Sequence, residues 1–156
     1  MRVNGKWLEC EYGVIRPSIS GLVRLADKEW VEVSFLLEWV EVSFLLDAGA
    51  DRTVFNAWFL HLLRSLEVDE SERVHLAGIG GHAASITVKT AIGFIKDDGR
   101  PIIVRGAFHV FTEGESADLS VLGRDVTNNF SVIYDYPNET VALLAPPHHY
   151  EIKRIS

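Results

Sequence analysis

This 156-residue sequence is poor in the features that several large classes of protein require. Cys10 is the only cysteine, so the chain cannot form an internal disulfide, and a reducing, cytoplasmic location is the simpler expectation. The 15 basic residues are scattered and are outnumbered by 22 acidic ones, giving a net charge of -7. This argues against nucleic acid as a partner, because phosphate binding needs clustered Lys and Arg. The N-terminus lacks the apolar stretch of a secretory signal.

Sequence patterns that bind cofactors or metals are also missing. No glycine-rich phosphate loop follows a strand and opens a helix with a lysine. The six histidines do not show the spacing of zinc ligands, and the adjacent pair His148 and His149 has no evident third ligand. We therefore predict neither a cofactor nor a metal.

The apolar region at residues 30–46 is long enough to suggest a membrane span. It carries Glu32, Glu38 and Glu41, however, and charges inside a span are costly. We therefore expect neither a span nor a membrane partner.

The same region contains a tandem repeat of nine residues, EWVEVSFLL at 29–37 and again at 38–46. Each copy alternates as a strand does, and one face of the second copy consists of Val40, Val42, Phe44 and Leu46. Because nine is odd, an unbroken strand would present opposite faces in the two copies, so a break between them is expected. An inserted strand segment, a long bulge and an artificial duplication all remain open explanations.

The rest of the chain consists mainly of short strands and turns, with one clear helix. That helix is expected at 57–66, where Phe59, Leu62, Leu63 and Leu66 have helical spacing. Strand-like stretches, some of them paired as hairpins, lie at 15–25, 74–88, 91–104, 106–111, 120–122 and 131–145, with turns at Asp98–Gly99 and Pro137–Asn138. A short helix should follow Gly123. The pattern predicts a mainly β, closed or folded-over structure.

In the stretch FLLDAGADRTVF, residues 44–55, an apolar strand runs directly into Asp47. A carboxylate at the edge of an apolar core is normally paired, protonated or used in chemistry. Gly49 allows a tight turn and the close approach of another chain. Taken alone, the pattern also fits a strand that ends in an Asx turn, with Asp47 bonding to its own backbone.

Three elements in order resemble the retropepsins, the retroviral-type aspartic proteases. They are the strand with Asp47-Ala48-Gly49-Ala50-Asp51, a glycine-rich flap Gly78-Ile79-Gly80-Gly81, and Val121-Leu122-Gly123-Arg124-Asp125 before a short helix. The hairpin at 131–145 resembles the closing hairpin of cellular and bacterial members. The resemblance covers about 14–145, which leaves an N-terminal segment, 1–13, and a C-terminal tail, 146–156.

The resemblance implies a closed β-barrel with one or two short helices, equivalent to half of the acid-protease fold. It implies an aspartic endopeptidase in which Asp47 is catalytic. The chain contains one such motif, so a pair of carboxylates would require a homodimer, with a peptide or protein as substrate.

Roles for further residues follow from the same resemblance. Those in the active-site loop are Ala48, Gly49, Ala50, Asp51 and Thr53. Those in the flap are Gly78, Ile79, Gly80 and Gly81, and those lining the substrate pocket are Val54, Ile79 and Val121. Structural roles fall to Leu122, Gly123 and Arg124, with Arg124 expected to pair with Asp51.

Ala48 departs from the family pattern, which has Thr or Ser at this position. In the family that hydroxyl bonds across the two subunits, so the resemblance implies a weaker dimer and a looser pair of carboxylates, with the chemistry retained. The alternative function is a weak or inactive module that dimerises or binds peptides. The chain could also be one domain of a longer polypeptide.

Overall fold

The computed structural model of the protein describes residues 1–25, 39–68, 76–78, 81–113, 119–149, 151 and 153. The strands are β1 (Arg2–Asn4), β2 (Lys6–Glu9), β3 (Ile15–Arg24), β4 (Trp39–Leu46), β5 (Val54–Phe55), β6 (Leu76–Gly78), β7 (Gly81–Ala83), β8 (Ser85–Ile95), β9 (Pro101–Phe111), β10 (Ser120–Leu122), β11 (Ser131–Asp135) and β12 (Thr140–Leu144). The α-helices are α1 (Leu60–Leu63) and α2 (Arg124–Thr127), and short 3-10 helices lie at Glu11–Gly13, Ala57–Phe59 and Arg64–Leu66.

Six strands close into a barrel in the order β3-β4-β10-β5-β9-β8. The ring is completed where β8 pairs back with β3, through Leu22 opposite Gly93 and Val23 opposite Ile92. β2 extends the sheet beyond β3. Closure removes free strand edges from the ring. The predicted mainly β, closed-barrel fold with short helices is therefore confirmed.

A second sheet joins the two ends of the chain, in the order β1-β12-β11. β12 lies in the middle, with Leu144 opposite both Arg2 of β1 and Ser131 of β11. Gly5 connects the two sheets, and its N–H donates to the carbonyl of Val141 at 2.8 Å. Residues 2–9, within the predicted N-terminal segment, thus contribute strands to both sheets.

The core follows the alternation of the sequence. In β4, Val42, Phe44 and Leu46 are buried, and the partly buried Val40 packs against the same core. The rings of Phe44 and Phe55 lie 5.6 Å apart in a tilted arrangement. β4 is the second copy of the repeat except for its first residue, Glu38. That glutamate, the first copy (29–37) and the expected turn at 26–29 lie outside the described residues.

The predicted helix at 57–66 forms as α1 flanked by 3-10 turns. Asn56 starts it, because its side chain accepts the N–H of Trp58 at 3.1 Å. Phe59, Leu63 and Leu66 are buried as expected. The helices in the described part of the chain are too short and polar to cross a membrane.

The prediction of separate strands at 91–104 and 106–111 is wrong. β9 is continuous from Pro101 to Phe111, and it pairs with β8 along its whole length. Gly106 does not interrupt it, since Gly106 stays in register opposite Thr90. A Cβ at Gly106 would lie 3.1 Å from the Phe108 ring, so the glycine accommodates a packed aromatic side chain.

Candidate active site

The loop that carries Asp47 begins where β4 ends. β4 and β10 are parallel neighbours, with Leu46 opposite Leu122, so both strands end at the same edge of the barrel. Asp47 and Gly123 are the residues that follow. This places the two main sequence elements side by side, and the N–H of Asp47 donates to the carbonyl of Leu122 at 3.3 Å.

The carboxylate of Asp47 is exposed, and one of its two oxygens is hydrogen-bonded. Its Oδ1 accepts the N–H of Gly49 at 2.8 Å, and its backbone carbonyl accepts the N–H of Ala50 at 3.1 Å. This is the Asx turn that the sequence allowed as an alternative. Among the described residues no partner occupies Oδ2, so the turn orients the carboxylate without using both of its oxygens. A Cβ on Gly49 would lie 3.2 Å from Oδ1, tight enough to push on the carboxylate.

The loop that begins at Asp47 ends near Thr53, and Thr53 is bonded to Asp125. Thr53 is fully buried; its N–H donates to Asp125 Oδ2 at 3.0 Å and its hydroxyl to Asp125 Oδ1 at 2.7 Å. The Thr53 Oγ1 also accepts the N–H of Gly123 at 3.0 Å. Side-chain and backbone groups of both segments are therefore satisfied by one another.

We expect Asp125→Ala to lower the free energy of unfolding by about 1–3 kcal/mol, because the buried N–H of Thr53 loses its acceptor. Urea unfolding followed by circular dichroism measures this change. Asn128→Ala is the control, since Asn128 is exposed at the end of the same helix. If the two variants unfold at the same urea concentration, the contacts of Asp125 do not stabilise the loop.

Asp51 forms the ion pair with Arg124 that the resemblance implies, through Arg124 Nη2 and Asp51 Oδ1. The hydrogen bond from Arg124 and its charge lower the pKa of Asp51 below the ordinary 3.8. Any stability from the pair is thus present above pH 3.8 and is lost as the pH falls through the lowered pKa. The N–H of Arg124 also donates to the carbonyl of Ala50 at 2.8 Å, so backbone contacts hold the same two segments together.

A cavity of ≈ 480 Å³ opens beside the barrel on the outer side of β4. Leu45, two residues before Asp47, lines it. The other lining residues are the apolar or weakly polar Leu8, Cys10, Tyr12, Val14 and Leu119, and the charged Glu9, Glu11 and Arg16. Most of these come from the N-terminal residues 8–14, which sequence reasoning did not connect with the site.

The predicted pocket residues Val54 and Val121 pair with each other between β5 and β10. Val54 is buried and Val121 is half-buried, and neither lines the cavity at Leu45. Their role in a substrate pocket stays a prediction.

The predicted flap is partly described. β6 and β7 form a small hairpin, with Gly78 opposite Gly81. Ile79 and Gly80, between them, lie outside the described residues. The flap role of these four residues stays a prediction.

Tyr134, on β11, is a neighbour of the site that the sequence did not reveal. Partial burial raises the pKa of its phenol, and the negative charge of Asp47 raises it further. The two residues are 87 positions apart, so no local pattern could have connected them. Asp125, in contrast, was within the recognised motif next to Arg124, although no sequence pattern indicated its bonds to Thr53.

Two histidines of the described residues, His109 and His148, lie within hydrogen-bond distance of hydroxyl groups. His109 Nδ1 lies 3.4 Å from Thr87 Oγ1 inside the barrel, and His148 Nε2 lies 2.7 Å from Ser131 Oγ. Within that described part, no three His, Cys, Asp or Glu side chains are placed to hold a metal ion.

Comparisons with known proteins gave similarity in structure alone. No protein-family model and no curated protein sequence matches this chain. Among solved structures it is similar to EIAV protease complexed with the inhibitor HBY-793, with 20% identity, a TM-score of 0.47, and coverage of 78% of this chain and 92% of that one. It is also similar to a retropepsin-like aspartic protease from Rickettsia conorii, with 16% identity, a TM-score of 0.49, and coverage of 92% and 90%. At these identities the similarity assigns no activity.

Proposed function

We propose that this protein is a retropepsin-like aspartic endopeptidase whose active site forms between two copies of the chain. The observation that carries the proposal is the exposed Asp47 carboxylate, fixed through Gly49 on a loop that is bonded to residues 122–125. An acid on a rigid loop at the end of a buried strand is presented to a substrate without rearrangement.

A second carboxylate is needed for the chemistry, and one chain supplies one Asp-x-Gly-Ala motif. A two-fold axis near Asp47 would bring it to face the same residue of the second copy. Two carboxylates held close cannot both ionise, so the pair would share a proton and titrate as a unit.

In the proposed reaction the ionised member of the pair takes a proton from water as the water oxygen attacks the scissile carbonyl carbon. The protonated member donates its proton to the carbonyl oxygen. In the second step the carboxyl group that took the proton from water donates it to the amide nitrogen, and the other carboxylate takes a proton from a hydroxyl of the tetrahedral intermediate. The C–N bond then breaks, which gives a carboxylic acid and an amine and restores the starting protonation of the pair. The Asx turn at Gly49 would keep the Asp47 carboxylate in place through both steps.

The substrate of the proposed enzyme is an extended peptide. It would lie between the Asp47 loop and the β6–β7 hairpin, where the flap backbone can bond to it and exclude water. The cavity at Leu45 is large enough for a bulky apolar side chain next to the cleaved bond. Val54, Ile79 and Val121 are proposed as further contacts.

The test is cleavage of a mixed peptide library by the purified protein from acidic to neutral pH, with products identified by mass spectrometry. Asp47→Asn is run beside it. Cuts that disappear in the variant support the proposal. Equal cutting by both proteins would overturn it.

Ala48 gives a second prediction, because the resemblance implies that a hydroxyl at this position bonds across the dimer. Ala48 is exposed, so a larger side chain has room. Two added hydrogen bonds, at about 0.5–1.5 kcal/mol each, should tighten the dimer by about 5- to 150-fold in Ala48→Thr. Ala48→Val is the matched control, since it has the same shape without the hydroxyl. Sedimentation velocity over a dilution series measures the dissociation constant of the dimer for each variant. Equal dissociation constants in Ala48→Thr and Ala48→Val would contradict the role of the hydroxyl.

Ala48 also favours a second candidate function, a module of the same fold that dimerises or binds peptides without turnover. The peptide-library assay distinguishes the protease from the binding module. Peptides that bind the dimer at Leu45 but remain uncut would support the binding module.

A further inference from the structure

The cavity beside Leu45 has apolar inner walls and a charged rim. The inner walls are the half-buried side chains of Leu8, Leu45 and Leu119. The rim consists of exposed lining residues, which include Glu9, Glu11, Tyr12 and Arg16. A long side chain of a ligand can occupy this ≈ 480 Å³ space with an apolar stem against the leucines and a polar end at the rim.

Tyr12 has a backbone conformation that tyrosine rarely adopts. It lies in the turn between β2 and β3, with φ 62° and ψ 25°, in the left-handed region. Glycine, asparagine and aspartate enter this region at lower cost, and the next residue, Gly13, does so with φ 70°. The turn is closed by the N–H of Cys10, which donates to the carbonyl of Val14 at 2.8 Å. The turn therefore requires a left-handed residue at position 12, but it does not require a tyrosine side chain.

The side chain of Tyr12 gains little from the fold in return. Tyr12 is 97% exposed, so its ring has almost no contacts within the chain, although it lines the cavity. A strained residue persists where the surrounding structure or the function requires it, and here packing supplies no reason. The exposed ring is left able to contact a ligand, and the face of an aromatic ring attracts cations.

Two carboxylates accompany Tyr12 at the rim. Glu11 precedes it in the same turn. A Cβ at Gly13 would lie 3.8 Å from Glu9 Oε1, so the carboxylate of Glu9 also lies beside this turn. Among the ion pairs of the described residues, none includes Glu9, Glu11 or Arg16. The two negative charges of the rim exceed its one positive charge, so the rim is complementary to a cation near Tyr12.

We propose that this cavity binds a lysine or arginine side chain of the peptide substrate, and that Tyr12 is a residue that determines this specificity. The inference rests on the proposed function, which places the apolar part of a substrate side chain in the cavity. The stem of the basic side chain packs against the leucines, and its charged end reaches the ring of Tyr12 and the carboxylates of Glu9 and Glu11. Because Leu45 is two residues before Asp47, the selected side chain belongs to a residue close to the cleaved bond.

The first test measures peptide binding to Asp47→Asn, which should bind a substrate without cutting it. The probes are fluorescein-labelled polyalanine octapeptides that differ at one central residue, which is lysine, norleucine or glutamate. Norleucine has the four-carbon stem of lysine without the ammonium group. By fluorescence anisotropy at pH 7 and low salt, we expect the lysine peptide to bind at least fivefold more tightly than the other two. Equal binding, tighter binding of the glutamate peptide, or no binding of the lysine peptide at millimolar concentration would overturn the proposal.

The second test is Tyr12→Asn in the same background. Asparagine tolerates the left-handed region, so the melting temperature should rise by about 2–4 °C, while the affinity for the lysine peptide should fall about two- to fivefold. Trp58→Asn is the control, because Trp58 is an aromatic residue that is 62% exposed and does not line the cavity. Unchanged affinity in Tyr12→Asn, or a loss of affinity accompanied by a lower melting temperature, would overturn the role of Tyr12 in specificity.

The third test changes the charge of the rim in both directions. The double variant Glu9→Gln and Glu11→Gln should weaken binding of the lysine peptide about fivefold and leave the norleucine peptide unaffected. Arg16→Gln removes the positive charge and should strengthen binding of the lysine peptide. Effects of opposite sign cannot come from partial unfolding of both variants. Effects of the same sign, or no effect, would contradict recognition of a cation at the rim.

Binding to Asp47→Asn does not depend on cleavage, so the two proposals can fail separately. A preference for the lysine peptide in a protein whose wild-type form cuts no peptide would retain this inference and overturn the protease. Cleavage that depends on Asp47, without any preference for a basic residue, would retain the protease and overturn this inference.

Discussion

Asp47→Asn should lower peptide cleavage by about a thousandfold, within the range that a positioned acid or base contributes. Asparagine keeps a side-chain carbonyl that can accept the N–H of Gly49, which now lies 2.8 Å from the carboxylate. The loop should therefore keep its shape while the pair loses the group that takes the proton from water. Unchanged thermal unfolding would separate this loss from a folding defect.

Asp98→Asn is a closely matched control for that experiment. Asp98 also accepts the backbone N–H two residues later, from Arg100 at 2.9 Å, so it forms the same local turn. It lies at the β8–β9 hairpin, and its pKa is lowered to about 2, chiefly by the side-chain hydrogen bond from Arg100. We expect full cleavage from Asp98→Asn across the neutral and mildly acidic range. Similar activity in the two variants would contradict the assignment of Asp47.

Gly123→Ala should have the largest effect on stability. A Cβ at Gly123 would lie 2.4 Å from the carbonyl carbon of Arg52 and 2.5 Å from its oxygen. The backbone of Arg52 cannot move away easily, because Ala50 and Asp51 on the same loop accept N–H groups from residues 124 and 125. We expect a loss of about 3 kcal/mol, at the upper end for overpacked sites, and a melting temperature about 6–12 °C lower.

Differential scanning calorimetry measures this change, and Gly93→Ala is the control. Gly93 is also a buried glycine, but a Cβ there would make ordinary contact with the Trp39 ring, at 3.4 Å or more. An alanine within a strand loses less conformational entropy on folding, so Gly93→Ala should be close to neutral. Equal destabilisation of both variants would show that the contact with Arg52 is not responsible.

Much of the local structure could be predicted because it depends on short-range patterns. Alternation gave the buried face of β4, helical spacing gave the buried Phe59, Leu63 and Leu66, and Asp98–Gly99 marked the hairpin turn. The error at β9 has a local cause as well. Glycine often interrupts a strand, so Gly106 was interpreted as a break between two strands. In the structure Gly106 stays paired with β8 and leaves room for the ring of Phe108.

Contacts between distant segments were predicted where a known motif connected them. The ion pair of Asp51 and Arg124 is an example, since both residues belong to elements of the resemblance. Asp125 is a partial case: it was recognised in the motif, but its bonds to Thr53 depend on burial that a sequence does not display. Tyr134 was missed because no motif joins β11 to the Asp47 loop.

The sequence by itself determined which residues alternate, where the chain turns, and that an acid follows an apolar strand. These properties depend on neighbours in the chain and on the periodicity of side chains. The tertiary structure alone decided that β8 closes the barrel on β3, that residues 2–9 join two sheets, and that the N-terminal residues 8–14 line a cavity beside Leu45. Each of these depends on pairing between distant strands, and the free energy of such pairing comes from the whole packed core rather than from any local pattern.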